Sequence, residues 1–220
     1  MQDSLIVRDV IHRGSNIFEL QLDRQEMSFV PGDCVALYTE DGRVSRPYSI
    51  ASGTGEKILR FVIRKMPDGV LSSYLSERNA GDLVRISPPF GWFRPGEHAG
   101  KRPFVFIATG TGIAPFLAYY RSASGAKPAA CLYGVREAGD IIERKWLASL
   151  GVTFAVSREK TKGCHHGRVT DLIDKLPLDG GTDFYLCGLD AMIDEVSVAL
   201  EKKGVAITSI HRECFFNSSY

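Results

Sequence analysis

Three short stretches of this chain combine residue types that are suited to binding a phosphate ester. Arg46-Pro47-Tyr48-Ser49 places a cation, an aromatic ring and a hydroxyl side by side. Gly69-Val70-Leu71-Ser72 opens a predicted helix, where backbone N–H groups and a serine hydroxyl can meet an anion at the positive end of the helix dipole. Gly110-Thr111-Gly112-Ile113-Ala114-Pro115 follows an apolar run and opens a second helix, which is the setting of a pyrophosphate-binding turn.

Each stretch also has a plainer structural interpretation. The first could be a strand that proline enters, and the second a helix with an ordinary serine N-cap. In the third, Pro115 stands where G-x-G-x-x-G has its last glycine, although proline in a first helical turn loses no hydrogen bond. The three stretches therefore need the surrounding elements to decide between these interpretations.

The first part of the chain, up to about residue 98, consists of short apolar segments separated by turns. Examples are the alternating segment 17–22 and the branched and aromatic segment 58–63, with one helix predicted over 69–78. Short strands at such spacing predict a small antiparallel β-barrel. We expect residues 1–98 to form this domain.

The second part alternates strands with helices. It begins with a buried strand over 104–108, predicts helices over 141–150 and 169–176, and ends with a strand over 205–210. This rhythm predicts a doubly wound parallel sheet, which binds ligands at the carboxyl ends of its strands. The expected fold class is therefore two-domain β plus α/β, with the parallel sheet formed by residues 99–220.

Composition excludes several classes of protein. The formal charge of +1 over 220 residues gives no global attraction to nucleic acid or to an anionic membrane. No apolar run is long enough for a bilayer, and residues 1–4 show no secretory signal. The five scattered cysteines, with no C-x-x-C, argue against a disulfide framework, a zinc site and a chain-borne iron–sulfur cluster, so we expect a reducing cytoplasm. Cys164-His165-His166 is interpreted as a loop rather than a metal site.

Taken in order, the motifs resemble the ferredoxin–NADP⁺ reductase superfamily over essentially the whole chain. Two further stretches join the three phosphate-binding candidates: Cys187-Gly188-Leu189-Asp190-Ala191-Met192 and the C-terminal Glu213-Cys214-Phe215-Phe216. Each motif is moderately specific, and the ordered set of five is strongly so. The resemblance implies a barrel that binds FAD and an α/β domain that binds NAD(P)H.

The resemblance also implies roles on the FAD side. Arg46 would neutralise the pyrophosphate from one side and Ser72 from the other, Tyr48 would lie flat on the flavin ring, and Ser49 would direct its hydroxyl at flavin N5. The FAD set comprises Arg46, Pro47, Tyr48, Ser49, Ile63, Arg64, Gly69, Val70, Leu71, Ser72, Phe215 and Phe216. Phe215 or Phe216 would cover the second flavin face, or Tyr220 would do so from a folded tail.

On the nucleotide side, the resemblance implies that Ser157, Arg158 and Arg168 clamp a 2′-phosphate, which favours NADPH over NADH. The alternative is a solvated charged loop. The NADP set comprises Gly110, Thr111, Gly112, Pro115, Arg136, Ser157, Arg158, Arg168, Cys187 and Gly188. The resemblance implies catalytic roles for Ser49, Cys187 and Glu213. Cys187 is interpreted as a packing and positioning group, and Glu213 would relay a proton or stabilise the reduced flavin.

The expected function is hydride transfer between NADPH and FAD, with single electrons passed to a protein carrier such as ferredoxin, flavodoxin or an oxygenase component. A reductase of free flavin or small oxidants is one alternative. A non-enzymatic flavin-binding redox sensor is another. Neither the acceptor nor the oligomeric state follows from the sequence.

Overall fold

The computed structural model describes residues 3–14, 16–122, 125–176, 178 and 181–214. Contacts divide the chain into two compact units. One comprises Met1–Arg94 with Ala114–Ser124, and the other comprises Pro95–Ile113 with Gly125–Tyr220. The boundary expected at residue 98 stays a prediction, and the segment 114–124 is grouped with the first unit although it follows a strand of the second.

The first unit is an antiparallel sheet of six strands. The strands are β1 (Asp3–Arg13), β2 (Ile17–Asp23), β3 (Cys34–Tyr38), β4 (Ser45–Ser49), β5 (Ile58–Arg64) and β6 (Leu83–Ile86). Their order is β4-β3-β6-β1-β2-β5, and every neighbouring pair is antiparallel. The two end strands approach each other where the Ala51 N–H donates to the Arg60 carbonyl at 2.8 Å. The predicted antiparallel β architecture is confirmed.

A single apolar cluster fills the first unit. Leu20 and Leu22 of β2 meet Phe61 of β5, and all three are fully buried. The helix α1 (Val70–Ser76) adds Leu71 and Leu75, whose spacing of four residues places both on one face. Packing of this face fixes the position of α1 and of the turn that precedes it.

The second unit is a parallel sheet of six strands. They are β7 (Phe104–Thr109), β8 (Ala130–Val135), β9 (Thr153–Val156), β10 (His165–His166), β11 (Asp183–Gly188) and β12 (Ile210–Cys214), in the order β10-β9-β8-β7-β11-β12. Within this sheet, the strand that comes first in the sequence, β7, has a central position, so the strand order reverses between β7 and β11. Open α/β sheets bind ligands at such a switch point.

The remaining α-helices are α2 (Ala114–Arg121), α3 (Arg144–Ser149) and α4 (Asp190–Lys202). The sequence predicts a helix over 191–202, and α4 confirms it with a start one residue earlier. The helix expected over 141–150 begins only at residue 144, because Glu143 adopts a left-handed conformation with φ 52°. Trp146 lies within α3. The segment expected as a helix over 169–176 is a 3-10 helix, Val169–Lys175.

Two predictions for edge elements of the parallel sheet were wrong. The final strand, expected over 205–210, is β12 at Ile210–Cys214, and Ile207–Ser209 form a 3-10 turn before it. The supposed loop at His165–His166 is the short strand β10, paired with β9. Both are edge strands with polar sequences, so apolar patterning could not reveal them; backbone pairing with β11 and β9 holds them in place.

Core packing of the first unit is testable at Phe61. We expect Phe61→Ala to lower the free energy of unfolding by about 3–5 kcal/mol, because truncating a buried aromatic ring leaves a cavity. Urea unfolding followed by circular dichroism at saturating FAD measures the change. Trp92→Ala is the matched control, since that aromatic side chain is 97% exposed and its loss should cost at most about 0.5 kcal/mol. A loss below about 1 kcal/mol for Phe61→Ala would contradict the assigned core.

Candidate functional site

The Arg-Pro-Tyr-Ser motif is strand β4 of the first unit. Arg46 is exposed and its guanidinium donates to the Ser45 carbonyl at 2.8 Å. Tyr48 is half-buried against the barrel core, and this burial raises the pKa of its hydroxyl to about 12. Ser49 ends the strand with only 4% of its surface exposed. The strand therefore holds an exposed cation, a neutral phenol and a sheltered hydroxyl within four residues.

The turn before α1 is shaped by Ser72. Its hydroxyl accepts from the Met66 N–H at 3.1 Å and donates to the Gly69 carbonyl at 3.3 Å. A Cβ on Gly69 would lie 2.4 Å from the Ser72 Oγ, so only glycine fits there. The Ser72 hydroxyl therefore already has partners within its own turn. The backbone N–H groups at the start of α1 remain the better candidates for phosphate contact, since the first N–H groups of a helix have no intrahelical acceptor.

Ile63 and Arg64, at the end of β5, differ in their placement. Ile63 is a member of the barrel core, with 1% of its surface exposed. Arg64 is partly exposed and lies opposite Ile17 in the β2–β5 register. The Ile63 side chain thus faces the core, so a contribution of this residue to a flavin site would come from its backbone.

In the second unit, the nucleotide motifs meet at the switch point. A Cβ on Gly112 would lie 2.2 Å from the Cys187 carbonyl oxygen, and a Cβ on Gly188 would lie 2.3 Å from the Thr109 Oγ1. Gly110 and Gly188 both have positive φ, 56° and 140°. Glycine at these positions allows the ends of β7 and β11 to approach closely, and Gly110 and Thr111 at the start of the turn stay partly exposed for a dinucleotide.

Thr109 was not identified from the sequence. Its Oγ1 accepts from the Leu189 N–H at 3.1 Å, so it joins the end of β7 to the residue that precedes α4. In the sequence, this threonine stands between the apolar run 104–108 and the Gly-rich turn. Only the register of β7 with β11 shows that it faces the second motif.

Cys187 and Glu213 are register partners in the β11–β12 pair. Cys187 is fully buried, whereas Glu213 is partly exposed. The structure thus brings these two predicted residues to adjacent positions at the carboxyl edge of the sheet. Ser49, the third predicted member, belongs to the first unit.

Three arginines predicted for the nucleotide lie at the carboxyl edge of β8, β9 and β10. The Arg158 N–H donates to the Arg136 carbonyl at 3.0 Å, which extends the β8–β9 pairing. The Gly167 N–H donates to the Val156 carbonyl at 3.0 Å, which extends β10 alongside β9 and brings Arg168 towards Arg158. All three arginine side chains are exposed.

Carboxylates neighbour two of these arginines. Arg158 lies 3.6 Å from Glu137, and Arg168 lies 3.5 Å from Glu195. Such exposed ion pairs contribute little to stability. They can therefore exchange for a stronger, bidentate partner such as a phosphate dianion.

Asp171 is a further residue that the sequence did not reveal. Its carboxylate accepts from the Arg168 N–H at 2.8 Å and contacts the His165 Nε2 at 3.0 Å. The His165 hydrogen bond, followed by that of Arg168, holds the pKa of the Asp171 carboxyl below its usual value. Asp171 therefore fixes the backbone at Arg168. The sequence signal for this contact was an aspartate three residues after Arg168.

Phe215, Phe216 and Tyr220 lie outside the described residues, so the aromatic cover of the flavin stays a prediction. Within the ranges that the structure describes, no set of three or more histidine, cysteine or acidic side chains is arranged to hold a metal ion. The same ranges contain no helix with the length and apolarity needed to cross a bilayer.

Comparison with known proteins matches each part of the chain to a known type of domain. Residues 3–94 match the model of the oxidoreductase FAD-binding domain, and residues 106–197 match that of the oxidoreductase NAD-binding domain. The chain is 31% identical over 206 residues to the electron transfer component of toluate 1,2-dioxygenase from Pseudomonas putida, covering 88% of this chain and 61% of that protein. It is 34% identical over 187 residues to the ferredoxin–NAD(P)⁺ reductase component of the naphthalene 1,2-dioxygenase/salicylate 5-hydroxylase systems of Ralstonia, covering 79% and 56%.

Solved structures show the same fold. The Amycolatopsis cytochrome P450 reductase superposes with a TM-score of 0.86 at 26% identity, over 97% of this chain and 70% of that one. A ferredoxin NADP⁺ reductase from Neisseria gonorrhoeae, solved with FAD and NADP, superposes with a TM-score of 0.88 at 21% identity, over 98% of this chain and 99% of that one. At this identity, the comparison shows a shared fold.

An FAD-binding β unit followed by an NAD-binding parallel sheet defines a two-domain flavoprotein of the oxidoreductase class. The chain belongs to the ferredoxin–NADP⁺ reductase superfamily. The expected cofactor classes, FAD and NAD(P)H, are confirmed at the level of the matched domains. The chain spans 56–61% of the length of the three dioxygenase reductase components with which it was compared.

The residues present fit both groups. On the flavin side, Gly69 leaves room where a Cβ would strike Ser72, α1 has no acidic residue in its first turn, and Arg46 supplies an exposed cation. On the nucleotide side, Gly110 and Thr111 are partly exposed at the switch point. Both arrangements are suited to a pyrophosphate.

Close packing at the switch point gives a direct test. Gly112→Ala should lower the free energy of unfolding by about 1–3 kcal/mol and weaken nucleotide binding, because its Cβ would overlap the Cys187 carbonyl. Thermal unfolding and nucleotide titration measure both effects. Gly181→Ala, where a Cβ meets nothing within 4 Å, should behave as wild type. Unchanged nucleotide affinity in Gly112→Ala would remove this turn from the site.

Proposed function

We propose that this chain is an FAD-dependent NAD(P)H oxidoreductase that delivers electrons to a protein carrier. The observation that carries the proposal is the close packing of the Gly110–Gly112 turn against Cys187 at a sheet switch point, in a chain whose other unit matches an FAD-binding domain. Bound FAD supplies the chemistry that accepts a two-electron hydride and releases electrons singly. The residues of the chain bind, orient and shield the reactants.

In the first unit, Arg46 and the N–H groups at the start of α1 hold the FAD pyrophosphate. An exposed guanidinium is always charged and donates in a fixed fork that matches phosphate oxygens. The Tyr48 hydroxyl, with its pKa raised to about 12, stays neutral throughout the physiological range. Tyr48 therefore contributes a flat apolar ring and no charge.

Ser49 acts at the reacting centre. Its hydroxyl is sheltered at the end of β4, and it would donate to N5 of a bound flavin. Such a donor lowers the barrier only when it is oriented before the reactants meet. Orientation of the two rings contributes the larger share, up to about 7–11 kcal/mol for well-ordered reactants.

In the second unit, the turn at Gly110–Gly112 would hold the dinucleotide pyrophosphate. Cys187 is fully buried, so it would serve as a packing group in the nucleotide site rather than as a nucleophile. Glu213, its partly exposed register partner, is placed to exchange a proton with solvent at the carboxyl edge of the sheet.

NADPH is the preferred nucleotide. Support comes from four residues that share one edge of the sheet: Arg136, Ser157, Arg158 and Arg168. A 2′-phosphate dianion can replace Glu137 as the partner of Arg158 and Glu195 as the partner of Arg168. The Ser157 N–H already donates to Val135 at 3.1 Å, which fixes the backbone of the clamp.

The electron acceptor is a separate protein carrier: ferredoxin, flavodoxin or an oxygenase component. The relatives named as dioxygenase electron transfer components support this choice. A reductase of free flavin or small oxidants is the second candidate. The cytoplasm is the proposed compartment, supported by five scattered cysteines with no C-x-x-C in the sequence.

Anaerobic mixing tests the activity. The FAD-loaded protein should lose its yellow colour within milliseconds to seconds of NADPH addition, as followed by stopped-flow absorbance. Bleaching over hours would overturn the proposal and leave a redox-sensing module. Strong stimulation of acceptor reduction by ferredoxin or flavodoxin supports the carrier, whereas equal rates with free flavin alone favour the second candidate.

Ser49→Ala should slow flavin reduction about tenfold or more while FAD stays bound. The hydroxyl addresses N5 and not the pyrophosphate, and removing one donor to a reacting centre costs about 10- to 1,000-fold. Stopped-flow rates and FAD titration separate the two effects. An unchanged rate would remove Ser49 from the reacting centre.

Arg158→Ala should weaken NADPH binding about 10- to 150-fold and leave NADH nearly unchanged. A lost charged hydrogen bond costs about 1.5–3 kcal/mol, and only NADPH carries the 2′-phosphate. Dissociation constants for both nucleotides provide the measurement, with Lys202→Ala on α4 as the exposed-cation control. Equal losses for the two nucleotides would show that Arg158 does not read the phosphate.

A further inference from the structure

Cys34 contacts the hydroxyl on which the proposed hydride transfer depends. Its Sγ lies 3.5 Å from the Ser49 Oγ, within hydrogen-bonding distance for sulfur. Both residues are buried, with 5% and 4% of their surfaces exposed. Cys34 lies in none of the five sequence motifs.

Strand pairing explains why the two side chains meet. Cys34 and Ser49 are direct register partners in the antiparallel β3–β4 pair. The Ile50 N–H donates to the Asp33 carbonyl at 3.0 Å, so the adjacent residues 33 and 50 carry the ladder bond. Cys34 and Ser49 therefore form a non-hydrogen-bonded pair, the kind in which cross-strand side chains are closest.

The backbone of Cys34 is fixed from the other side. Its N–H donates to the Phe90 carbonyl at 2.7 Å, and its carbonyl accepts from the Phe90 N–H at 2.8 Å. Phe90 is bridged to Cys34 in antiparallel fashion. With both backbone groups engaged, the thiol has little freedom except rotation about its own side-chain bond.

A serine hydroxyl has one hydrogen to donate and two lone pairs to accept with. When the thiol S–H donates to the Ser49 Oγ, one lone pair is occupied and the hydroxyl hydrogen is left for another acceptor. When the roles are reversed, the single hydrogen is spent on sulfur, which is a weak acceptor. The first arrangement leaves Ser49 as a donor towards flavin.

We propose that Cys34 is a positioning residue that orients the Ser49 hydroxyl as a donor to flavin N5, through the Sγ–Oγ contact across the β3–β4 pair. This inference rests on the proposed function of Ser49. It assigns no chemistry to the thiol itself.

A double-mutant cycle tests the proposal on the FAD-loaded full chain. The variants are Cys34→Ala, Cys34→Ser, Ser49→Ala and the Cys34→Ala/Ser49→Ala double variant. Cys131→Ala, which removes an equally buried thiol from β8, is the control. Two readouts are taken for each: the anaerobic rate of flavin reduction by NADPH, and the visible spectrum and midpoint potential of bound FAD.

Cys34→Ala should slow flavin reduction about 2- to 10-fold, as expected for one neutral hydrogen bond, without changing NADPH or FAD affinity. Cys34→Ser, which keeps an O–H donor, should restore most of the rate. In the Ser49→Ala background the Cys34→Ala change should have no further effect, because the group it orients is gone. A thiol that merely packs would give the same loss in both backgrounds, and that result overturns the proposal.

The spectral readout separates this inference from the proposed function, because it needs no nucleotide. Cys34→Ala should shift the flavin spectrum and potential in the same direction as Ser49→Ala, and the double variant should match Ser49→Ala. If NADPH fails to reduce wild type while these shifts appear, the activity is wrong and the positioning role stands. If Ser49→Ala shifts the spectrum and Cys34→Ala does not, the positioning role is wrong. If neither variant shifts the spectrum, Ser49 does not contact the flavin, and the positioning role is overturned as well.

Discussion

The second unit depends on one close approach, that of the Gly112 backbone to the Cys187 carbonyl. No side chain fits between the ends of β7 and β11, since even a Cβ on Gly112 would lie 2.2 Å from that oxygen. Thr109 then joins the two strand ends through Leu189. At the start of the same turn, Gly110 and Thr111 stay partly exposed and are accessible to a dinucleotide. Close packing of the strand ends and binding of the nucleotide therefore depend on the same short Gly-rich turn.

On the flavin side, the corresponding constraint is the cross-strand pair of Cys34 and Ser49. A sheet fixes its inner positions more rigidly than a loop does, and β4 carries its predicted flavin contacts within a paired strand. The half-buried Tyr48 adds rigidity by packing against the barrel core. The arginine at the other end of the motif stays exposed, as a group that meets a pyrophosphate must.

Much of this could be predicted from sequence because several motifs carry their own geometry. A Gly-rich turn after an apolar strand implies a switch-point site, and Cys187 with Glu213 came from the resemblance. What the sequence could not give were contacts between distant segments: Cys34 with Ser49, Thr109 with Leu189, and Asp171 with His165. The edge strands β10 and β12 were missed because polar edge strands lack an apolar period. Ser72 was expected to face a phosphate, yet its hydroxyl closes its own turn.

The chain contains two tryptophans, and the structure places one in each unit: Trp92 in the first and Trp146 on α3 in the second. Because the Trp92 indole is 97% exposed, it is surrounded by water in the native state and its emission changes little when the chain unfolds. The Trp146 indole is partly covered and experiences a change of surroundings. Intrinsic fluorescence of this protein therefore reports chiefly on the loss of the parallel sheet unit, and flavin release provides an independent signal for the other.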